Sequence, residues 1–107
     1  MIHELKTLPE YFNAVANETK TFEVRKSDRP FHVGDYLALN EFENGKYTGL
    51  CMMVRITYIL KDKEYCKSGY WILGITCCGI ITKRDPFSEA RLTYEGIPVY
   101  GERETNE

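Results

Sequence analysis

Residues 50–60 read LCMMVRITYIL and carry the clearest strand pattern in this chain of 107 residues. Apolar residues occupy every second position from Leu50 to Leu60, and Arg55 and Thr57 stand among the positions between them. Alternate side chains of a β-strand point to opposite faces, so this period of two predicts a strand with one face in a core. A mainly β protein is therefore expected.

Further strands are predicted on both sides of this segment. Residues 36–42 also suit a strand, and the pair Asn44-Gly45 that follows them is typical of a β-hairpin turn. Residues 61–69 are polar and predict a loop. Residues 70–82 form a nearly continuous apolar run with two glycines, as expected for a central strand that bends around a barrel.

The N-terminal segment predicts a short strand over residues 2–5, followed by a helix over residues 8–17. Thr7 is a candidate N-cap, with a proline soon after it and Glu10 in position for a capping box. One face of this helix is apolar, because its apolar residues recur at helical spacing: Leu8, Tyr11, Phe12 and Val15.

Residues 20–26 return to a period of two and predict a strand with a charged face. Phe22 and Val24 lie on one side, and the other side carries Thr21, Glu23 and Arg25. From the pattern alone, that charged face is either a solvated strand surface or a ligand-binding surface.

Together these elements predict one mainly β (α+β) domain, a partly closed β-barrel of five to six strands with the N-terminal helix covering one opening. Residues 1–83 would form the barrel, and residues 84–107 a C-terminal extension, partly packed on it and frayed at the end. No segment has the length and hydropathy of a membrane span or a secretion signal, so we expect a cytoplasmic protein without a membrane partner.

The net charge is −2, from 14 basic and 16 acidic residues, so any nucleic-acid site must be a local one. His3 and His32 have no partners at metal-ligand spacing, and no CxxC pair is present. No metal and no cofactor is expected. Buried thiols are favoured over disulfides or a metal site for all four cysteines: Cys51, Cys66, Cys77 and Cys78.

Residues 17–25, NETKTFEVR, resemble the signature of the ASCH superfamily within the PUA-like folds. That signature is a G-x-K-x-x-E-x-R run followed by a V/K-G-D turn, which Gly34-Asp35 matches here. Glu18 stands at the glycine position, and the charged positions hold Lys20, Glu23 and Arg25. Over residues 2–82 the chain also resembles a phage- and bacteria-associated family of unknown function in that superfamily.

The resemblance implies a PUA-like barrel whose cleft, between the first helix and the barrel, binds RNA or a nucleotide-like ligand. A lysine and an arginine in such a cleft suit a phosphate or a base edge. The carboxylate of Glu23 can orient these cations, accept a hydrogen bond from a base, or act as a general base, and the first role demands least. The expected ligand-binding residues are Lys20, Glu23, Arg25, Lys26 and Tyr70.

Two other functions remain open. A related branch hydrolyses acetylated cytidine with a threonine nucleophile at the position held here by Glu23, so the resemblance admits an amidohydrolase on a modified nucleoside. Its candidate catalytic residues would be Lys20, Thr21 and Glu23, with Thr21 as a displaced nucleophile; we lean towards a protein that is not an enzyme. The second alternative is a phage-type accessory protein that binds a host protein.

Aromatic and basic residues near predicted turns are further candidates for contacts with nucleic acid, although core packing and solubility explain such residues equally well. The aromatic candidates are Tyr36, Tyr47, Tyr70 and Trp71. A basic rim would need these residues to converge on one side: Lys26, Arg29, Lys46, Lys61, Lys63 and Lys67.

Overall fold

The computed structural model of the protein describes residues 1–81 and 99–100. All strands in this part of the chain join one sheet with the order β2-β5-β4-β3-β1-β6. The strand β1 runs parallel to β3 and β6, and the other pairs are antiparallel. The elements are β1 (Ile2–Thr7), α1 (Pro9–Ala16), β2 (Phe22–Lys26), β3 (Tyr36–Glu43), β4 (Lys46–Leu60), β5 (Tyr70–Ile81) and β6 (Val99–Tyr100).

The sheet curls into a half-barrel. The strand β2 is at one edge and β1 is four places away in the sheet, yet the side chain of Arg25 in β2 reaches the backbone oxygen of Lys6 in β1. Only a strongly curved sheet brings these two strands together. The predicted mainly β architecture, a partly closed barrel with one short helix near the N-terminus, is confirmed for the described residues.

The main core lies inside the curve, where α1 contributes Phe12 and Val15. The largest side chains that the sheet adds to it are fully buried: Leu5, Leu37, Leu39, Met52, Ile56 and Leu73. A smaller cluster packs on the opposite face of the sheet and contains Ile2, Ala38, Cys51 and Met53. The middle of β3 and β4 is therefore covered on both faces.

The strict alternation predicted for residues 50–60 fails at Tyr58, which was expected in the core but is 63% exposed. The pairing of β4 with β5 shifts register between Ile56 and Tyr58. Such a bulge reverses the faces that later side chains occupy, so Ile59 instead packs against the core.

The predicted capping box at the start of α1 is wrong. Leu8 is the N-cap residue, and no side chain caps the helix there. Thr7 is instead the last residue of β1, where its buried hydroxyl accepts a hydrogen bond from Arg25 at 3.3 Å. The contact with a residue so distant in sequence takes the hydroxyl away from the helix end.

The charged face of β2 is the buried one. Glu23 and Arg25 are each 3% exposed, whereas Phe22 and Val24 are 43% and 44% exposed. The interpretation of this face as a solvated strand surface is therefore wrong. Strand β2 turns its charges towards the inside of the half-barrel.

Several smaller predictions can be compared with the structure. Asn44 and Gly45 have φ of 53° and 78°, which confirms the hairpin turn between β3 and β4. All four cysteines lie in the described part of the chain and none forms a disulfide, but Cys77 and Cys78 are exposed, contrary to the predicted burial.

The C-terminal extension predicted over residues 84–107 lies outside the described residues, except for the backbone of β6 beside β1. Among the described residues, no helix has the length and apolar character that crossing a membrane requires.

Candidate functional site

A cleft of about 330 Å³ opens where β2 meets α1 and the start of β5. This volume is at the lower end of the range of small-molecule sites, about 300 to 1,000 Å³. The lining combines three aromatic rings, two cations, one carboxylate and one aliphatic side chain: Tyr11, Lys20, Phe22, Glu23, Val24, Arg25 and Tyr70.

The carboxylate of Glu23 holds both cations of the cleft. Its Oε2 accepts a hydrogen bond from Lys20 Nζ at 2.7 Å, and its Oε1 accepts one from Arg25 Nε at 3.1 Å. The orienting role proposed for Glu23 agrees with this geometry. Two positive charges against one negative charge leave the trio with a net charge of +1.

Arg25 also ties the cleft to the far side of the half-barrel. Its Nη2 donates to the backbone oxygen of Lys6 at 2.9 Å and to the hydroxyl of Thr7. A buried guanidinium with carboxylate, carbonyl and hydroxyl partners is held in one orientation. Arg25 therefore positions Glu23 and joins β2 to β1.

The ammonium group of Lys20 is the cation nearest to the opening, with 17% of its side chain exposed. It lies 4.9 Å from the ring centroid of Phe22 and 5.4 Å from that of Tyr11, both within cation–π range. Besides Glu23, it donates to the backbone oxygen of Phe22 at 2.7 Å. An ammonium has three donors, so these two bonds leave one for a ligand.

The local backbone places Lys20 at this position. Helix α1 ends in a Schellman motif, in which Thr19 N donates to Ala14 O at 3.0 Å and Glu18 N donates to Val15 O at 3.1 Å. Glu18 has φ of 65°, in the left-handed region that glycine prefers. This residue occupies the glycine position of the ASCH-like signature, and the sharp turn there delivers Lys20 to the cleft.

The structure brings together four of the five residues predicted to bind a ligand: Lys20, Glu23, Arg25 and Tyr70. Lys26 is exposed at the end of β2 and does not line the cleft. Thr21, the candidate displaced nucleophile, is exposed and also lies outside the lining.

Sequence reasoning missed three cleft residues, Tyr11, Phe22 and Val24. Tyr11 was assigned to the apolar helix face that packs in the core, but it is 40% exposed. The helical period of α1 could have indicated the exposure of Tyr11. Phe12 and Val15 make the core contact, so Tyr11 lies at the edge of the apolar face.

A second polar group lies away from the cleft, where β1 meets the turn before β3. His3 Nε2 donates to Asp35 Oδ2 at 2.8 Å, and its ring packs 4.7 Å from the ring centroid of Phe31. Burial lowers the pKa of His3, although the hydrogen bond and negative charge of Asp35 act to raise it.

Asp35 is affected by opposing influences as well. Burial acts to raise its pKa, but the hydrogen bonds from the ring of His3 and from the backbone N–H of His32 outweigh burial, and the pKa is lowered. This pair joins β1 to the Gly34-Asp35 turn and has a structural role. His32 itself is exposed.

The six predicted basic-rim residues do not all converge. Arg29 is buried, with its guanidinium 5.9 Å from the ring of Phe31, and Lys46 lies at the hairpin turn. Three lysines of the loop after β4 do share a cavity: Lys61, Lys63 and Lys67. Within the described residues, no three His, Cys, Asp or Glu side chains are grouped to hold a metal ion.

Comparison with known proteins confirms the predicted resemblance to a phage-associated family of unknown function. The chain is 43% identical over 56 residues to the "Uncharacterized 12.9 kDa protein in GpA 3'region" of Escherichia phage P2. The match covers 52% of this chain and 51% of the phage protein, so it spans about half the length of that relative. Residues 2–75 match a protein family that covers β1 to the middle of β5. The chain belongs to this family, which is described as Domain of unknown function (DUF3850).

Proposed function

We propose that the protein binds single-stranded RNA or a nucleotide-like ligand in the cleft between α1 and β2. The observation that carries this proposal is the position of the Lys20 ammonium beside the rings of Tyr11 and Phe22, in a cleft that Tyr70 also lines. Aromatic rings stack on unpaired bases, and a lysine neutralises a phosphate.

The residues of the cleft divide into contacts and supports. Lys20 would donate its remaining N–H to a phosphate or a base edge, and exposed Tyr11 and Phe22 offer ring faces for stacking. Glu23 and Arg25 are too buried for large contacts with a ligand, and they act as positioning residues that fix the ammonium. This division keeps the ligand outside the core.

The finer fold assignment, a PUA-like barrel of the ASCH type, belongs to the same proposal. Its support is the curled sheet with a helix beside the cleft, together with the convergence of Lys20, Glu23 and Arg25 at that cleft. The left-handed φ of Glu18 supports it too, because a family glycine is expected where the backbone requires that conformation.

Fluorescence anisotropy with labelled single-stranded RNA, duplex RNA and single-stranded DNA tests the function. We expect Tyr11→Ala to weaken single-stranded binding by about 1 to 3 kcal/mol, the usual contribution of one base stacked on an aromatic ring. Lys20→Ala should weaken binding. It should also reduce the dependence of the affinity on salt concentration. Lys46→Ala is the matched control, because this exposed lysine lies at the distant hairpin turn.

Circular dichroism of each variant separates lost binding from lost folding. Arg25→Ala is unsuitable as a binding test, because it would remove the buried partner of the Glu23 carboxylate and destabilise the fold. Unchanged affinity in both the folded Tyr11→Ala and Lys20→Ala variants would contradict the proposed cleft.

A further inference from the structure

A second cavity, of about 320 Å³, lies next to the cleft. It is enclosed by the end of β2, the loop over residues 61–69 and the first residues of β5. Tyr70 lines both cavities, so a ligand in the cleft is one side chain away from this second space. We call it the loop cavity.

Three lysines give the loop cavity a strongly positive lining, and no acidic residue is part of it. The Nζ of Lys61 lies 4.4 Å from the ring centroid of Trp71, and the Nζ of Lys67 lies 5.3 Å from that of Tyr70. These cation–π contacts hold both ammonium groups against the cavity wall. In the described part of the chain, neither these two lysines nor Lys63 forms an ion pair.

Hydrogen bonds hold the loop in a defined shape. The backbone oxygen of Asp62 accepts from Tyr65 N at 3.1 Å and from Cys66 N at 2.9 Å, and its carboxylate accepts from Glu64 N at 2.8 Å. That last bond turns the acidic group towards the loop's own backbone. The cavity is therefore already formed before any anion arrives.

The far end of the loop is fastened to β2. Ser27 donates to the backbone oxygen of Gly69 twice, from its N–H at 2.9 Å and from its hydroxyl at 3.2 Å. Lys26, the residue before Ser27, is the last residue of β2, the strand that carries Glu23 and Arg25. The Ser27–Gly69 hydrogen bonds therefore connect the loop to the strand that lines the cleft. Their relative position is set by strand pairing between β2 and β5.

We infer that the loop cavity is a phosphate subsite, and that it holds a backbone phosphate adjacent to the nucleotide bound in the cleft. This inference rests on the proposed function and narrows it. The ligand is a single-stranded polynucleotide, because its sugar–phosphate chain can leave the aromatic cleft beside Tyr70 and place the next phosphate among the three lysines.

A charge-reversal pair tests the subsite. Lys63→Glu and Lys46→Glu each change the net charge by the same amount, both lysines are exposed, and only Lys63 lines the loop cavity. The probe is fluorescein-labelled single-stranded RNA of randomised sequence, about ten nucleotides long, within the usual range of single-stranded site sizes. Binding is measured over a series of salt concentrations, with Tyr11→Ala as the cleft variant.

We expect Lys63→Glu to weaken RNA binding about tenfold or more relative to Lys46→Glu. The slope of log affinity against log salt should become shallower by about 0.7, the value for one lost phosphate contact on a single strand. Tyr11→Ala should lower affinity and leave that slope unchanged, because stacking releases no counterions.

The other outcomes separate the two proposals. If Lys63→Glu and Lys46→Glu behave alike while Tyr11→Ala weakens binding, the loop subsite is wrong and the cleft function stands. If Lys63→Glu weakens binding while Tyr11→Ala and Lys20→Ala leave it unchanged, the loop cavity binds RNA by itself, and both the cleft function and the inferred link between the two cavities are wrong. If the wild-type protein does not bind RNA but binds tripolyphosphate in a Lys63-dependent manner, the cavity is a site for free polyanions and the polynucleotide inference is overturned.

Discussion

Glu18 has a backbone conformation that glycine adopts more readily than residues with a Cβ. Its φ of 65° closes the Schellman motif after α1 and directs the chain towards Lys20. A residue with a Cβ loses about 1 to 2 kcal/mol in the left-handed region. The backbone is therefore strained at Glu18, two residues before the cleft residue Lys20.

Replacing Glu18 by glycine is expected to stabilise the protein by about 1 kcal/mol, since the strain is removed and glycine's extra chain entropy offsets only part of the gain. Urea denaturation measures this change. Glu18→Ala is the control, because alanine keeps the Cβ and should give no such gain. Equal stability of the glycine and alanine variants would show that φ at this position is not the source of strain.

Glu23 and Arg25 form a buried ion pair, and their contributions to stability should be coupled. Arg25→Met leaves the Glu23 carboxylate with Lys20 alone and is expected to cost about 3 to 5 kcal/mol. Glu23→Gln should be costly as well, because it leaves two cations close together. The double variant should lose less than the sum of the two, by about 1 to 3 kcal/mol.

Chemical denaturation of the four proteins in this cycle gives the coupling directly. Lys20→Met is a useful comparison, since its partly exposed ammonium should matter less to folding than the guanidinium of Arg25. Additive effects of Glu23→Gln and Arg25→Met, within about 0.5 kcal/mol, would contradict a coupled pair.

Strand β1 makes several polar contacts with residues distant in the sequence. It is parallel to β3, so no tight hairpin joins the two, and its buried face includes His3 and Thr7. His3 bonds to Asp35 in the turn before β3, and Thr7 bonds to Arg25 of β2. These side chains attach β1 to the turn before β3 and, across the half-barrel, to β2.

The burial of His3 predicts loss of stability in mild acid. The pKa of folded His3 is lowered by burial, below its ordinary value of 6.5, so the unfolded chain binds a proton more readily than the folded one. Stability should fall as the pH drops below about 6.5 and on through the folded pKa. Asp35, whose folded pKa is below 3.8, adds a further loss at lower pH.

Thermal unfolding between about pH 7.5 and pH 5, a range that extends above and below the ordinary histidine value of 6.5, measures this dependence. The N-terminal ammonium, Arg29 and His32 also lie near the pair. His3→Gln should flatten the profile, since glutamine can still donate a hydrogen bond but does not titrate. His32→Gln is the control, because the ring of His32 is exposed. If both variants flatten the profile equally, the pH dependence cannot be attributed to His3.

For the whole molecule, the net charge of −2 makes the location of charge more important than its sum. Four lysines lie at two adjoining cavities on one side of the half-barrel: Lys20, Lys61, Lys63 and Lys67. An acidic total weakens unspecific attraction to a polyanion, so binding should depend on these local contacts.

If all four lysines contact phosphates of a single strand, log affinity should fall against log salt with a slope of about −3. Fewer contacts would give a proportionally shallower slope. Anisotropy titrations of the wild-type protein at several salt concentrations measure it. A slope near zero with retained binding would contradict phosphate contacts and favour recognition of an uncharged base alone.

Most of the secondary structure could be predicted from local patterns in the sequence. The period of two in residues 50–60, the Asn44-Gly45 turn and the apolar run from residue 70 all correspond to observed elements. These signals work because backbone geometry imposes the period and the turn conformation on neighbouring residues, wherever the segment lies in the fold. The resemblance of residues 17–25 to a family signature implied a cleft position for Lys20, Glu23 and Arg25, and all three line the observed cleft.

Only the tertiary structure decided which faces are covered. A period of two shows that Glu23 and Arg25 share a face, but it does not reveal that this face is buried, because the partners that make burial of a charge tolerable lie elsewhere in the chain. Arg25 needs the carbonyl of Lys6 and the hydroxyl of Thr7, nearly twenty residues away in sequence. The bulge before Tyr58 and the gathering of loop lysines beside Tyr70 likewise follow from strand pairing and sheet curvature, which are properties of the assembled sheet.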